Sequence, residues 1–465
     1  MSLTALLWAL AFVILLLAAF RAPAWGAALY MLTFFALPQY WWWGKAGPLA
    51  TPRWNLMGGV VFLLSVVLTY RPHPMAQPLV RLRAMRWMLM LIALNYVLVS
   101  LVLAENLDMS SVVMFIQVKL IVLVFLLDVS IQDEINWKRI VLVMFLGILF
   151  LGFEVNFRGA GKSVAGRLEG VGVPGGNTSN HLGNLLITFM PMLGAGLFSQ
   201  DRKVKLVALV TSPLALNTLL KCNSRGSYLG LIAAGSVMLL LSRGRERKLL
   251  FGGALLGCLG VLVLARDGRI FERFTSTFVG EEQRDTSAQS RIAFWKAALV
   301  CLSEHPAGVG GDCYKNILSR QYLVGVTDRA RAIHNGFLNE AVQWGVHSLL
   351  LRLGVFYLAF RCARSGQAIY RRQQNFQDAL MGLALVGGLV AFSVGGFFGD
   401  YWDSEWGLQL VALCMGYYRI AVLREREQQS MEYAPAPFNP GPWGGMPNPM
   451  VATPQWTRMG PVMPG

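Results

Sequence analysis

The segment 329–335 (Arg-Ala-Arg-Ala-Ile-His-Asn) places a titratable imidazole beside two guanidinium groups. A neutral imidazole near pH 7 accepts a proton from a hydroxyl nucleophile, so His334 is a candidate general base. Positive charge on Arg329 and Arg331 is expected to lower the pKa of His334 and keep it neutral. Asn335 could orient the ring or a substrate. The alternative is that His334 simply begins a helix, with its ring satisfied by solvent or a carbonyl group.

Two more arginines lie in short polar motifs: Arg225 in the run 223–226 (Asn-Ser-Arg-Gly) and Arg291 in the run 287–295 (Ser-Ala-Gln-Ser-Arg-Ile-Ala-Phe-Trp). A guanidinium group can grip a phosphate or diphosphate through two parallel hydrogen bonds. Both arginines are therefore candidate ligands of an anionic substrate. Alternatively, Arg225 reaches the interface from the end of a membrane span, and Arg291 lies on a solvated helix face.

Other polar positions allow two interpretations each. Lys119 lies in an apolar run, where it could touch a lipid phosphate or pair internally. Asn180 follows the glycine-rich stretch 170–176 and shapes a substrate entrance or is ordinary loop sequence. The glycines of 308–311 lack the Lys-Ser/Thr of a nucleotide-binding loop, so they predict a tight turn rather than a phosphate cradle.

The composition is that of an integral membrane protein. The chain has 465 residues, of which 55% are hydrophobic and only 14% charged, and its mean hydropathy is +0.49. A formal charge of +16 would suggest nucleic acid for a soluble protein. Here the basic residues cluster in short loops between apolar runs, which is the positive-inside pattern, and no basic-aromatic module is present. The predicted partner is the lipid bilayer and not nucleic acid.

The apolar runs predict an all-α, polytopic bundle of about 12–13 transmembrane helices with one large periplasmic loop region. Only a helix satisfies the backbone of such runs in lipid. The runs lie near 3–20, 24–43, 55–70, 87–104, 111–131, 139–153, 182–199, 204–220, 228–242, 248–265, 337–360, 377–397 and 406–422. Loops rich in Arg and Lys predict the cytoplasmic side, so the polar segments 154–181 and 266–336 fall on the outer side.

The runs and loops divide the chain into five segments. They are 1–153 (N-terminal transmembrane helices), 154–265 (transmembrane helices with the first periplasmic loop and the Ser-Arg-Gly motif), 266–336 (large periplasmic loop), 337–425 (C-terminal transmembrane helices) and 426–465 (a Pro/Gly/Met-rich cytoplasmic tail predicted to be disordered). Cys301 and Cys313 share the long loop, and the sequence leaves open whether they pair.

Taken together, four blocks resemble the O-antigen ligase/polymerase superfamily of bacterial membrane glycosyltransferases. In order, they are 167–180, 223–226, 285–311 and the His334-Asn335 pair with Leu338 and Gly345. The third block is similar to the O-glycosylation ligase branch found beside exosortase systems. The resemblance covers roughly residues 140–420, and the order of the blocks makes it specific.

The resemblance implies a multi-pass enzyme of the bacterial inner (cytoplasmic) membrane with its active site facing the periplasm. It implies glycan transfer from an undecaprenyl-diphosphate carrier to an acceptor glycan, lipid A-core or glycoprotein, with no cofactor and no metal. Arg225 and Arg291 would hold the diphosphate, and His334 would activate the acceptor. A polysaccharide polymerase of the same superfamily is the first alternative, and a non-catalytic polysaccharide or lipid transporter the second. The short segment between Gly311 and His334 departs from the lipopolysaccharide ligases, which puts the acceptor in doubt.

Overall fold

The computed structural model describes residues 2–72, 79–172, 178–264, 286–327 and 329–432. Helices dominate these residues, so the predicted all-α polytopic membrane fold is confirmed. The α-helices are α1 Leu3–Ala19, α2 Pro23–Phe35, α3 Trp54–Thr69, α4 Val80–Leu98, α5 Leu107–Ser130, α6 Glu134–Phe157, α7 Ser179–Gly196, α8 Arg202–Cys222, α9 Arg225–Leu241, α10 Gly244–Leu264, α11 Thr286–Glu304, α12 Ser319–Tyr322, α13 Gly336–Trp344, α14 Val346–Arg372, α15 Phe376–Gly396 and α16 Glu405–Glu432. An antiparallel hairpin, β1 Lys162–Val164 and β2 Arg167–Glu169, precedes α7.

Seven of the described helices are long and apolar enough to cross a membrane: α4 with its extension to Leu103, α5, α6, α8, α14, α15 and α16. Three shorter apolar helices, α1, α3 and α9, accompany them. The apolar run near 24–43 yields only α2, since Pro38 begins a separate 3-10 turn. Most of α15 and α16 is buried, whereas α1 and α3 expose many leucine and valine side chains to the lipid region. The total of 12–13 spans stays a prediction.

The apolar run near 337–360, which the sequence analysis treats as one span, is two helices. Gly345 separates α13 from α14 and has φ +90°, a conformation that glycine adopts without strain. A Cβ atom there would lie 2.7 Å from the carbonyl oxygen of Ala307, so the turn that follows α11 packs directly against the break. α13 ends at this break after nine residues, and α14 begins directly after it at Val346.

A buried polar network spans this break. Glu340 on α13 forms an ion pair with Arg352 on α14, and both side chains are almost fully buried. Tyr96 and Ser348 donate hydroxyl hydrogen bonds to the Glu340 carboxylate at 2.9 and 2.7 Å. Because a buried charge is stable only when paired, this network fixes α13 relative to α14. Glu340 thus faces Arg352.

Asp128 is a second buried charge with a structural role. It is fully buried and pairs with Arg86 on α4 and Arg419 on α16. Arg419 also donates to the carbonyl oxygen of Ile131 at 2.9 Å. These contacts satisfy the carboxylate that the sequence places at the end of the fifth apolar run. The three helices α4, α5 and α16 are thereby joined at one level.

The helices define two ends of the bundle. α8 and α15 have 21 residues each, which corresponds to about 30 Å of helix. Their last residues, Cys222 and Gly396, lie at the end where α9 begins with Arg225, here called the site end. Their first residues, Arg202 and Phe376, lie at the other end, where α10 also begins, here called the basic end.

Candidate active site

His334 lies at the site end, two residues before α13. Its backbone has φ +56°, an uncommon conformation for a residue other than glycine. The carboxylate of Asp400 accepts hydrogen bonds from the backbone N–H groups of His334 and Asn335 at 3.3 and 3.2 Å. The same carboxylate lies 3.7 Å from Nδ1 of His334, a contact that is electrostatic rather than a hydrogen bond. Asp400 therefore holds the backbone and faces the Nδ1 side of the ring.

The local environment keeps the imidazole neutral. Burial lowers the pKa of His334 from its ordinary value of 6.5, while the negative charge of Asp400 opposes this shift. Arg291, Arg331 and Lys315 lower the pKa further by repelling the protonated ring. The sequence predicts this direction from neighbouring arginines. The structure shows that burial is the larger cause.

Asp400 belongs to the loop 397–404 between α15 and α16, which dips into the site end. Tyr401 follows it and is buried, with its ring 5.0 Å from the ring of His181 in the first turn of α7. Burial raises the pKa of Tyr401, so its hydroxyl stays protonated and can donate a hydrogen bond. Burial also lowers the pKa of His181 to about 4, which makes this second imidazole neutral at physiological pH.

Arg291 on α11 is the electrostatic centre of the site. Burial lowers its pKa; Tyr401 and Asp400 oppose this shift, and the guanidinium groups of Arg167 and Arg225 add to it. Arginine keeps its proton even so, because its ordinary pKa lies above 12. These mutual effects show that the three guanidinium groups lie near one another at the site end. Such an excess of fixed positive charge favours an anionic ligand.

α11 carries Arg291 on a helix with two different faces. Phe294, Ala297 and Cys301 are buried, and Trp295 packs edge-on against Phe397 at 5.2 Å between ring centroids. On the other face, apolar side chains are exposed, namely Ile292, Leu299 and Val300. The helix thus covers the site with one side and presents apolar surface outward with the other, as expected at a membrane interface.

Arg225 is placed by a sharp turn between α8 and α9. Asn223 ends α8 in the left-handed conformation with φ +47°, and Arg225 is the first residue of α9. A Cβ atom on Gly226 would lie 3.0 Å from Cβ of Phe398, so α9 begins in contact with the loop that carries Asp400. This close approach explains why a small residue follows Arg225.

Arg167 also belongs to this arginine cluster. The sequence places it only within the block 167–180. It is the first residue of β2 and donates a hydrogen bond to Oδ1 of Asn180. Glu169, on the same strand, accepts hydrogen bonds from the backbone N–H and the hydroxyl of Ser179 at 2.9 and 2.7 Å. The hairpin is thereby fastened to the start of α7. Asn180, a predicted substrate ligand, orients Arg167 in this structure.

The other predicted substrate ligands have different surroundings. Asn335 is buried and caps α13, since its side-chain oxygen accepts the N–H groups of Phe337 and Leu338 at 3.0 and 3.2 Å. Arg331 is exposed and acts on His334 through its charge. Arg329 is exposed, with its backbone N–H bonded to Thr327. Lys119 is exposed on α5, and no described contact joins it to the arginine cluster.

The glycine-rich segment 308–311 forms a packed turn, in agreement with its sequence. Val309 and Gly310 donate backbone hydrogen bonds to the carbonyl groups of Val342 and Gln343 at 3.0 and 2.9 Å. Gly311 donates to the hydroxyl of Ser110 at 2.9 Å. The N–H groups that a phosphate would need are therefore bonded within the protein.

Cys301 and Cys313 are buried and are both free thiols, so the structure does not join them. Burial raises the pKa of both thiols. Within the described ranges, no group of three or more His, Cys, Asp or Glu side chains could hold a metal ion.

The fold and the site together define a polytopic helical membrane protein with a cluster of arginines beside an imidazole–carboxylate pair. A family model described as O-Antigen ligase matches residues 210–353, a range that contains Arg225, Arg291 and His334. An O-antigen polymerase from Salmonella muenchen is 26% identical over 218 residues, which are 46% of this chain and 52% of the relative. The chain thus spans about half the length of this curated relative. These matches confirm the resemblance to the O-antigen ligase/polymerase superfamily.

Proposed function

We propose that the protein transfers a glycan from an undecaprenyl-diphosphate carrier to an acceptor hydroxyl at the periplasmic face of the bacterial inner membrane. The observation that carries this proposal is the grouping of Arg167, Arg225 and Arg291 beside the His334–Asp400 pair. Each part matches one requirement of the reaction. The arginines suit an anionic leaving group, and the imidazole suits a hydroxyl nucleophile.

The guanidinium groups would act on the leaving group. When the glycosidic bond to the carrier breaks, negative charge grows on the diphosphate oxygens. Fixed guanidinium groups stabilise this charge more in the transition state than in the ground state, and this difference lowers the activation free energy. Arg225 and Arg291 bind the diphosphate in this proposal, and Arg167, held by Asn180, contributes to the same field. The neutralisation is supplied by arginine without a metal.

His334 would act on the acceptor. Its Nε2 atom takes the proton of the acceptor hydroxyl while the oxygen bonds to the anomeric carbon and the diphosphate leaves on its carrier. The lowered pKa of His334 leaves this nitrogen free to accept a proton at pH 7. Asp400, 3.7 Å from Nδ1, stabilises the imidazolium that forms. The buried hydroxyl of Tyr401 lies in the same field of charges.

The distribution of basic residues supports the periplasmic orientation. Arg202, Lys203 and Lys205 begin α8 at the basic end, and Arg243, Arg245 and Arg247 lie around the start of α10 at the same end. Short loops rich in Arg and Lys are retained in the cytoplasm. This distribution supports a cytoplasmic basic end and a periplasmic site end.

The reaction is a ligation if the acceptor is a lipid A-core or a glycoprotein, and a polymerisation if the acceptor is another carrier-linked glycan. The matching family model is described as a ligase, and the Salmonella relative is described as a polymerase. Both therefore remain candidate functions. Both chemistries need the same grip on the diphosphate and the same base. The identity of the acceptor distinguishes them.

The test combines the purified full chain in detergent with an undecaprenyl-diphosphate glycan and each acceptor separately. Product on a lipid A-core or protein acceptor supports a ligase, and a longer glycan on the carrier supports a polymerase. The His305→Ala variant is a matched control, because His305 is a second histidine in the turn after α11 and no described contact joins it to Asp400. Equal turnover in the His334→Ala and His305→Ala variants would remove the proposed base.

A further inference from the structure

A cavity of about 440 Å³ opens at the basic end of the bundle, about 30 Å from the arginine cluster as measured along α8 or α15. It lies between the α7–α8 connection and the starts of α8, α10 and α15. Its volume falls within the range of ligand pockets, roughly 300–1,000 Å³. A second cavity of about 380 Å³ adjoins it and shares Arg245 and Phe376 in its lining. The site end does not use this cavity.

The lining is strongly cationic. Arg202 and Lys205 from α8 and Arg245 from α10 line the larger cavity, and none of its described lining residues is acidic. All three side chains are exposed. The guanidinium group of Arg245 lies over the ring of Phe376 at 4.5 Å from the centroid, which orients it at the cavity wall. The cavity thus presents three positive groups to one volume.

Nearby carboxylates are engaged elsewhere. Asp201 caps α8 by accepting the N–H groups of Lys203 and Val204 at 2.8 and 3.2 Å. Glu246 is paired with Arg371. In the adjoining cavity, Glu134 and Asp378 share Arg424, with N–O distances of 3.6 Å to each. In the described part of the chain, none of these carboxylates forms an ion pair with Arg202, Lys205 or Arg245.

Apolar surface continues from the cavity along the helices that line it. α8 exposes Leu206 and Leu209 immediately after Lys205, and α10 exposes Phe251 and Leu255 within three turns of Arg245. Such side chains face the acyl chains of the bilayer. A ligand that fits this arrangement has an anionic head for the cavity and apolar chains for the helix surfaces.

We propose that this cavity binds the phosphate headgroup of an anionic phospholipid, with its acyl chains along α8 and α10. Basic pockets between membrane helices on the cytoplasmic side suit such headgroups because charge and acyl chains are both accommodated. A free phosphate would use the same cations but gain nothing from the apolar surfaces. The site is separate from glycan transfer and does not depend on it.

The test is native mass spectrometry of the detergent-solubilised full chain, titrated with phosphatidylglycerol, phosphatidylethanolamine or inorganic phosphate. The Lys205→Gln/Arg245→Gln variant removes one charge from each lining helix. The Lys203→Gln/Lys248→Gln variant is the matched control, since both lysines are exposed on the first turns of the same helices but do not line the cavity. All four positions are exposed, and the thermal midpoint of each variant checks that it is folded.

We expect phosphatidylglycerol to bind the unchanged protein more tightly than phosphatidylethanolamine does. A basic residue near an anionic surface contributes about a five-fold factor, so the Lys205/Arg245 variant should bind about 25-fold more weakly. The single Arg202→Gln variant should lose about five-fold, and the control should keep its affinity. If the double variant and its control lose equal affinity for phosphatidylglycerol, the proposed site is wrong, and the lipid binds by general attraction to basic residues. Inorganic phosphate binding as tightly as phosphatidylglycerol would overturn the lipid assignment.

Discussion

The contact between Asp400 and His334 makes the sharpest prediction, because it links one carboxylate to the rate and to its pH dependence. Replacing Asp400 with Asn removes the charge that faces Nδ1 but keeps the size of the side chain. One oxygen remains to accept a backbone N–H from His334 or Asn335. The change therefore tests the charge more than the fold.

The magnitude follows from the 3.7 Å separation. Coulomb's law gives about 4 kcal/mol for a charge pair at this distance with an effective dielectric constant of about 20, and about 1 kcal/mol in water. The side chain of His334 is 45% exposed and that of Asp400 is 20% exposed, so solvent screening places the value between these limits. A loss of about 2 kcal/mol of imidazolium stabilisation lowers kcat about 30-fold.

The assay is glycan transfer as a function of pH. His334 must be unprotonated to act as the base, so activity falls as the pH drops through its pKa. Asp400 raises that pKa, and hence the Asp400→Asn variant should combine a lower kcat with an acid limb moved to lower pH. Asp312→Asn removes a carboxylate from the same end of the bundle and serves as the control, with an unchanged acid limb. Full turnover and an unshifted profile in the Asp400→Asn variant would refute the pairing.

Further predictions concern the base, the grip on the diphosphate and the helix break. The His334→Ala variant should lose turnover while it binds the carrier-linked donor almost normally, as measured by donor binding to the purified protein. The Arg291→Lys and Arg225→Ala variants should raise the KM for the donor about ten-fold or more, since a hydrogen bond to a charged group contributes about 1.5–3 kcal/mol; an unchanged KM would exclude diphosphate contact. The unchanged enzyme should keep its full kcat/KM at pH 7, and kcat/KM should fall only below pH 6.5, because burial lowers the pKa of His334 from that value. The Gly345→Ala variant should lower the thermal midpoint by an amount equivalent to about 1–3 kcal/mol, because the new Cβ would lie 2.7 Å from the oxygen of Ala307.

Much of the membrane architecture can be predicted from the chain, since lipid leaves the backbone few alternatives to a helix. The order of the polar loops also predicts that Arg225, Arg291 and His334 share one end of the bundle, and the structure brings them into one electrostatic cluster. Their roles in binding and catalysis remain proposals. Residue types and topology were enough here because each residue starts or closes a polar segment.

The partner of the proposed base cannot be predicted from the sequence. Asp400 lies in the loop 397–404, and no spacing in the sequence relates it to His334, 66 residues away. Arg167 and Tyr401 join the cluster through the hairpin and the loop 397–404, whose positions depend on tertiary packing. Asn335, in contrast, is predicted as a substrate ligand from its position beside a histidine. Its side chain caps α13 instead, and this helix-capping geometry decides its contacts.

The helix break at Gly345 is also absent from the hydrophobic pattern. An apolar run looks the same whether it forms one helix or two, and only the close approach of Ala307 shows why a glycine is needed there. Lys119 illustrates the limit for charges in apolar runs. Its residue type marks it as a candidate, but its exposure on α5 separates it from the cluster.

The ion pair across that break has a consequence for how the chain can vary. Glu340 and Arg352 are both almost fully buried. Removing either one leaves the other charge buried without its partner, which lowers the free energy of unfolding by about 3–5 kcal/mol. Exchanging both for apolar side chains of similar volume can be nearly neutral. We therefore expect the two positions to change together or not at all. In natural variants and in laboratory selections, a change of this helix break should therefore appear as paired substitutions at both positions.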